Sequence, residues 1–485
     1  MMIRNTIVFI LIIEFQCIFG QSLIFTTPVD IATGNDNLRP RVVLTQNDIP
    51  VVIWGSAGSN PVYLSRHNGT SFNTPIQLSP PGVDPYCATW TGPDIASNGD
   101  DLWVVFDANV NGYKIFSMKS SDGGVTFSDT VNVGDNSGLN RFSSIGANPM
   151  GNPMVVFMDH DPGWTNPNYV VTNSLDGGVT WEPAVDASNS ITGNEVCDCC
   201  PPEIIADNDY QVAVFRNNNN NIRDVWASYS IDDGITFNGS DIDFSSWNLN
   251  ACPSSAPHGL IRGDSLLTTW MSGGSGQTRV LLGVSNLNDG SVGSNVEVSP
   301  STSNGVVQNF PRIAGDDLVY GLVYQEYSGG NYDCYIAYSL NGNNAIENTG
   351  VILNDEVQGN QLNPDIAYAN GVFHIVFQDD KTNTVKYMTA TISPVDINEK
   401  NTTKMLSVYP NPNKGVAYID LLNCPKGKSI ELIISDISGK KFNAISVDYI
   451  NNQSIEISLP DIKGVYLLSL SIDGKIRDNI KLISE

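Results

Sequence analysis

Asp, Glu, Lys and Arg make up only 16% of the 485 residues, and there are four histidines besides, so the side chains able to do acid–base, anion-binding or metal chemistry can be taken one at a time. Arg41, Arg216 and Arg312 are spread widely along the chain, and the planar guanidinium fork suits two-point capture of a carboxylate. Glu326 stands beside Tyr327, a pair able to supply a nucleophile, and Glu203 and His258 are further candidates for catalytic work. Asp94, Asp107, Asp159, His160, Asp365 and Asp379 complete a set of groups suited to holding a polar ligand. Asp159-His160-Asp161 could bind calcium or position a base, against the simpler reading of a plain loop.

Cysteine is the second source of chemistry. Apart from Cys17 and Cys424 near the two ends, the chain holds Cys87, Cys197, Cys199, Cys200, Cys252 and Cys334. In an exported protein the expectation is disulfides, for example Cys199 or Cys200 with Cys252. The alternative is a thiolate site for zinc or copper, with His258 six residues beyond Cys252 as a further ligand. Three cysteines within four residues cannot readily all pair with one another, which keeps that alternative open.

These residues need a scaffold, and a repeat supplies it. The pattern Pro-x-Ile/Val occurs around Arg41, Asp94, Glu203, Arg312 and Asp365, with weaker copies around Ser144 and His258, at spacings of 50 to 59 residues. An apolar stretch follows each copy, as at 51–54, 102–106, 212–215 and 372–377, then a third strand and in most copies a fourth. Four short strands per repeat predict an all-β propeller of seven blades, six blades plus a cap being the alternative. The seventh repeat stops after its third strand, and residues 22–31, similar to 72–76 of the first repeat, are expected to close the ring. In such a ring Arg41, Asp94, Ser144, Glu203, His258, Arg312 and Asp365 line the channel. Asp107, Asp159, His160, Arg216, Glu326, Tyr327 and Asp379 follow the second strands at the same end. Asn217–Asn221 reads as a solvated hairpin loop, and His67 and His374 as structural.

A second motif, Ser-x-Asp-x-Gly-x-Thr-Trp/Phe, occurs at 120–127, 174–181 and 230–237, with a degenerate copy at 65–72 that has His67 in the Asp place. Its carboxylate should accept backbone N–H groups in a tight turn. These segments resemble the Asp boxes of sialidase-like (BNR) propellers. The resemblance implies a glycan-acting enzyme in which three arginines grip a carboxylate, with Arg41 standing where the first would, a Tyr–Glu pair attacks, and an Asp serves as acid/base. The loop 55–61, where that Asp would fall, holds no carboxylate. Glycoside hydrolysis is the first expectation. A lyase acting on uronate-containing polysaccharides, recruiting Arg216, His160 or His258, and Tyr327, is the second. A non-catalytic glycan- or metal-binding propeller is the third. Residues 196–201 with 251–253 also resemble a subgroup of sialidase-like proteins carrying Cys-x-Cys-Cys-Pro.

Both ends of the chain bear on location. Arg4, the apolar run 7–13 and Gly20 predict a signal peptide over 1–20, and no later stretch is apolar enough to span a bilayer. The propeller is expected over 21–399 and a polar linker over 400–405. Beyond it, Tyr409-Pro410-Asn411-Pro412-Asn413-Lys414-Gly415 opens a small β-sandwich at 406–485. This region resembles the C-terminal sorting domain of the type IX secretion system of Bacteroidetes, which implies passage through periplasm and outer membrane to the surface or beyond. Net charge is −26, and between the signal and residue 403 it is 14 basic against 41 acidic residues. Such a surface repels phosphate backbones, so nucleic acid is an unsuitable partner and an extracellular glycan the expected one.

Overall fold

The computed structural model describes residues 22–393 and 405–484, apart from 35, 58–60, 111, 135–138, 192–194, 301–304, 343, 347, 355–357, 423–427, 437–439, 448–453, 459–462 and 474. The expected signal peptide and most of the expected linker lie outside these residues. The described chain is all-β, with no helix, and it divides into two compact units between residues 393 and 394. No helix among the described residues is long and apolar enough to cross a membrane.

The first unit contains seven antiparallel sheets, numbered here in chain order. Their first strands are Asn37–Leu44, Asp94–Asn98, Leu139–Ala147, Glu203–Ala206, His258–Arg262, Val307–Gly315 and Gln361–Ala369. Each lies beside the next, and the last lies beside the first, so the sheets form a closed ring. Closure uses the N-terminal segment: Leu23–Phe25 and Val29–Thr33 both pair antiparallel with Thr384–Ile392, the third strand of sheet seven. That pairing covers an edge that would otherwise offer unpaired N–H and C=O groups.

The second strands show why the ring forms. In Asp101–Asn109, residues 102 to 106 read Leu-Trp-Val-Val-Phe and are fully buried, with no polar partner face. Alternate side chains of a strand point to opposite faces. Leu102, Val104 and Phe106 pack against Val51 and Ile53 of sheet one, and Trp103 and Val105 against Val155 and Phe157 of sheet three. The same division recurs at all seven junctions, including sheet seven against sheet one through Val376 and Val385 with Val52 and Trp54. A sheet buried on both faces needs a neighbour on each side, and a ring provides both.

The Asp boxes join third to fourth strands at the end of the ring where first and second strands turn. Asp122 Oδ1 accepts Val125 N and Thr126 N at 3.0 and 2.9 Å, and its Oδ2 accepts the Thr126 hydroxyl. Asp176 and Asp232 repeat this with Thr180 and Thr236. These bonds to the charged form hold Asp122 and Asp176 at about 2. In the degenerate box Asn68 Oδ1 accepts Thr70 N and Ser71 N, while His67 Nδ1 accepts Gly69 N. Each box also serves its neighbour: Trp103 Nε1 donates to Gly177 O, and a Cβ on Gly178 would sit 2.7 Å from that nitrogen.

The second unit has a three-stranded and a four-stranded sheet sharing one core, with Leu406, Ile419 and Ile457 from one facing Leu432, Leu468 and Leu482 from the other. Its opening motif is tied to the last strand. Asn413 N and Nδ2 donate to Ile483 O, and Ile483 N donates to Asn411 Oδ1.

Candidate functional site

At the end of the ring opposite the Asp boxes, the loops leading into the first strands meet the turns between second and third strands. In sheets one, three, six and seven the first strand carries a bulge, with positive φ at Arg39, Phe142, Phe310 and Asn363. The residue two places further on, Arg41, Ser144, Arg312 or Asp365, is thereby directed into the channel. There the structure brings together Arg41, Asp94, Glu203, His258, Arg312 and Asp365, and from them a cavity of about 280 Å³ runs along the channel between later first-strand residues such as Gly146, Ile205 and Ala314.

The ring they form is self-paired. Arg312 Nε bonds Asp365 Oδ1 at 2.8 Å, its NH1 bonds Glu203 Oε2 at 2.5 Å, and its NH2 lies 3.8 Å from Asp94 Oδ1. Arg41 Nε is 3.6 Å from Asp94 and His258 Nε2 3.7 Å from Glu203. Three members also reach the next sheet: Ile145 N donates to Asp94, Val42 N to Asp365 and Ile313 N to His258 Nδ1. Burial pushes Glu203 up to about 7, with Arg312 pulling the other way, and burial lowers His258 well below the usual histidine range. Burial would lower Arg312 too, but Glu203, Asp365 and Asp94 outweigh it and raise its pKa.

The residues after the second strands are dispersed. Arg216 is fully buried, its NH1 donating to Arg223 O and its NH2 to Met271 O at 2.7 Å, across to sheet five. Burial brings it down to about 10. Asp107 accepts Phe142 N, Ser143 N and the Ser143 hydroxyl, and so holds the bulge of sheet three. Asp159 accepts Asn140 Nδ2 at 2.7 Å, Glu326 accepts Gln308 Nε2 at 2.9 Å, and Asp379 accepts Lys381 N and Thr382 N in its own turn. Tyr327, 37% exposed, packs on Tyr332 at the outer turn of sheet six. Arg216, Glu326 and Tyr327 are therefore not gathered with Arg41 and Arg312.

One cluster escaped the sequence reading. The Arg141 guanidinium lies 4.7 Å from the Tyr86 ring, 4.7 Å from Tyr113, 4.8 Å from Phe142 and 5.3 Å from Trp164. It makes no hydrogen bond or ion pair among the described residues, and its Nε is buried without a partner. Trp164 is 44% exposed and meets both Tyr113 and His160 edge-on, at 5.2 and 5.1 Å. His160 Nδ1 lies 3.2 Å from Leu139 O, which makes Nδ1–H the donor and leaves Nε2 as the base. Burial lowers its pKa. Tyr86 comes from the loop before sheet two, Tyr113 and Trp164 from the turns of sheets two and three, and Arg141 from the bulge of sheet three. No sequence motif joins them.

The cysteines occupy the same end. The structure pairs Cys197 with Cys200 and Cys199 with Cys252, so the expected link between the 197–200 loop and Cys252 is present, and all three clustered cysteines find partners. Cys87 and Cys334 are buried and free. His258 belongs to the channel ring rather than to this cluster.

Residues 407–485 match the family model described as secretion system C-terminal sorting domain. The chain is exported by the type IX route to the cell surface or beyond. No curated protein matches it in sequence. Among solved structures, an ulvan lyase of polysaccharide lyase family PL25 is 10% identical, over 76% of this chain and 95% of that one, with a TM-score of 0.49. A Trypanosoma rangeli sialidase is 11% identical, over 94% and 88%, with a TM-score of 0.44. A protein of unknown function from Dyadobacter fermentans is 12% identical, over 76% and 99%, with a TM-score of 0.43.

Chemically the two clusters differ. The channel ring spends its charges on itself, and every carboxylate in it already serves an arginine or a neighbouring backbone. Arg141 is held by ring faces, with the Asp107 carboxylate near enough to feel its charge but not hydrogen-bonded to it, which leaves its N–H donors for a ligand beside an exposed indole and a neutral imidazole.

Proposed function

We propose that this exported chain is a seven-bladed propeller acting on extracellular acidic glycans through the face that carries Arg141. The observation that carries the reading is the Arg141 guanidinium, fixed among four aromatic rings with no acceptor of its own. Cation–π contact orients the fork without consuming its donors, so a uronate carboxylate or a sulfate can be taken bidentately. Trp164 offers the apolar face on which a sugar ring stacks.

His160 favours elimination over hydrolysis. A carboxylate neutralised by Arg141 acidifies the adjacent C–H, and His160, a buried and unprotonated imidazole against the same indole as Arg141, is the base we assign to remove that proton. Hydrolysis is the second reading, because the carboxylates that could form the usual pair, Asp107, Glu203, Asp94 and Asp365, are all engaged, and the Glu326–Tyr327 pair of a tyrosine-nucleophile scheme lies apart from the channel arginines.

The test incubates the exported protein with polyuronate, sulfated and neutral polysaccharides. Unsaturated uronate ends, seen by ultraviolet absorbance, mark elimination. New reducing ends without that absorbance mark hydrolysis, and retention on the acidic polymers without products marks a binder. Arg141→Met should weaken acidic-glycan binding by roughly 10- to 100-fold, the value of a charge-assisted hydrogen bond, and Trp164→Ala should weaken it too. The proposal fails if Arg141→Met binds as well as the native chain, or if neutral glycans compete equally.

A further inference from the structure

Cys197, Cys199, Cys200 and Cys252 come from two loops separated by more than 50 residues, yet their four Sγ atoms all lie within 4.8 Å of one another. Two disulfides meant only to tie these loops have no need to meet at one point. A single ion has that need. In a tetrahedral thiolate site with metal–sulfur bonds of about 2.3 Å, neighbouring sulfurs stand about 3.8 Å apart. The unbonded sulfurs of Cys197 and Cys199 stand 3.9 Å apart.

We propose that these four cysteines, when reduced, form a binding site for one thiophilic d10 cation, Zn²⁺ or Cu⁺. The backbone of the 197–200 loop, which supplies three of the four, is fixed independently of the sulfurs. Cys197 N donates to Arg216 O, Cys200 N to Cys197 O, and the Tyr169 hydroxyl lies 3.0 and 2.8 Å from the carbonyls of Cys197 and Cys200. Loss of the sulfur–sulfur bonds therefore leaves the loop in place. Cys197 and Cys200 are fully buried, whereas Cys199 is half-buried and Cys252 exposed, so the site has a dry floor and an open side through which an ion enters. The Ser254 hydroxyl donates to Cys252 Sγ at 3.3 Å, the kind of outer contact that steadies a thiolate ligand. Arg216 and Arg223 lie near enough to act on Tyr169, as does Asp198 with the opposite sign, so two cations and one carboxylate surround a four-thiolate complex. Soft sulfur ligands select Zn²⁺ or Cu⁺ over the harder Ca²⁺ and Mg²⁺. Binding of Zn²⁺ releases the four thiol protons to solvent and involves no electron transfer.

The test uses the exported full-length chain carrying Cys424→Ser. A trialkylphosphine reduces each disulfide, taking the oxygen of one water as it becomes the phosphine oxide and leaving two thiols. After removal of the reductant without oxygen, one equivalent of Zn²⁺ is added and ions per chain are counted by native mass spectrometry. Expected are one ion per chain, protection of four thiols from alkylation, and sulfur-to-metal charge-transfer absorbance when Cd²⁺ replaces Zn²⁺. Cys252→Ser removes an exposed ligand and should weaken binding by more than the roughly 10- to 100-fold typical of outer contacts. The proposal is overturned if the reduced chain binds no ion, or if binding persists unchanged in Cys199→Ser/Cys252→Ser. Alkylation of the unsubstituted cluster decides the matter even if a variant fails to fold: four thiols that react equally with and without Zn²⁺ also overturn it.

Discussion

The two ends of the seven-sheet ring are built on different rules. At the Asp-box end the same residues recur from sheet to sheet and make the same bonds, each confined to about eight residues of chain. At the other end corresponding positions hold different residues, and their partners lie in other sheets: Arg312 reaches sheets two, four and seven, and Arg141 is enclosed by rings from sheets two and three. Repetition marks what each sheet needs for itself. Variation marks what the ring holds in common, either to lock its centre or to meet a ligand.

The strongest way to break this contrast is to remove the hub. Arg312→Met leaves Glu203, Asp94 and Asp365 buried with Arg41, and Arg39 near Asp365, as the remaining cations to offset them. Removing one partner from a buried ionic network costs about 3–5 kcal/mol. Denaturant unfolding of the first unit should show a loss of that size. A loss below about 1 kcal/mol would mean that the ring is an open polar channel and not a lock.

A sharper test is the pH dependence of the same ring. The Glu203 carboxyl is pushed from 4.5 to about 7 by burial, so between these values the folded chain holds a proton that the unfolded chain has released. Stability from this group is therefore complete below about pH 4.5 and lost as pH rises through 7, by up to about 3 kcal/mol. Glu203→Gln should flatten that decline, seen as unfolding midpoints that change less between pH 5 and 8 than those of the native chain. An unchanged slope would assign the proton elsewhere.

This contrast also explains what could be read in the sequence. The sheets were readable because each is specified locally, by an apolar run such as 102–106 and a turn motif such as 120–127, and even the closing segment 22–31 betrays itself by likeness to 72–76. The channel ring was readable because its members occupy one position of the repeat. Arg141 was not. It sits three residues before the repeat position of Ser144, and beyond the bulge between them its guanidinium lies among rings of sheets two and three and not in the channel ring. Arg216 shows the converse: residue type suggested a carboxylate grip, but complete burial surrounds its fork with the carbonyls of Arg223 and Met271. Side-chain type announces capability, and burial decides what consumes it.

The smallest expected effect is at the repetitive end. Asp122→Ala removes an acceptor from Val125 N, Thr126 N and two hydroxyls, all at an exposed turn. Loss of a side-chain cap of this kind costs about 1 kcal/mol. The fold should survive, and affinity for acidic glycans should be unchanged, because the bond the box makes to sheet one, Arg66 Nε to Gly123 O at 2.9 Å, does not use the Asp122 side chain and lies at the same end. A glycan-binding titration of Asp122→Ala beside Arg141→Met puts both ends in one measurement. Were Asp122→Ala to weaken binding as Arg141→Met is expected to, the turns at one end would be coupled to the ligand face at the other. The division of labour between local repeats and shared variation would then fail, since strain introduced in one sheet's turn would have to travel the full length of its strands to reach the face.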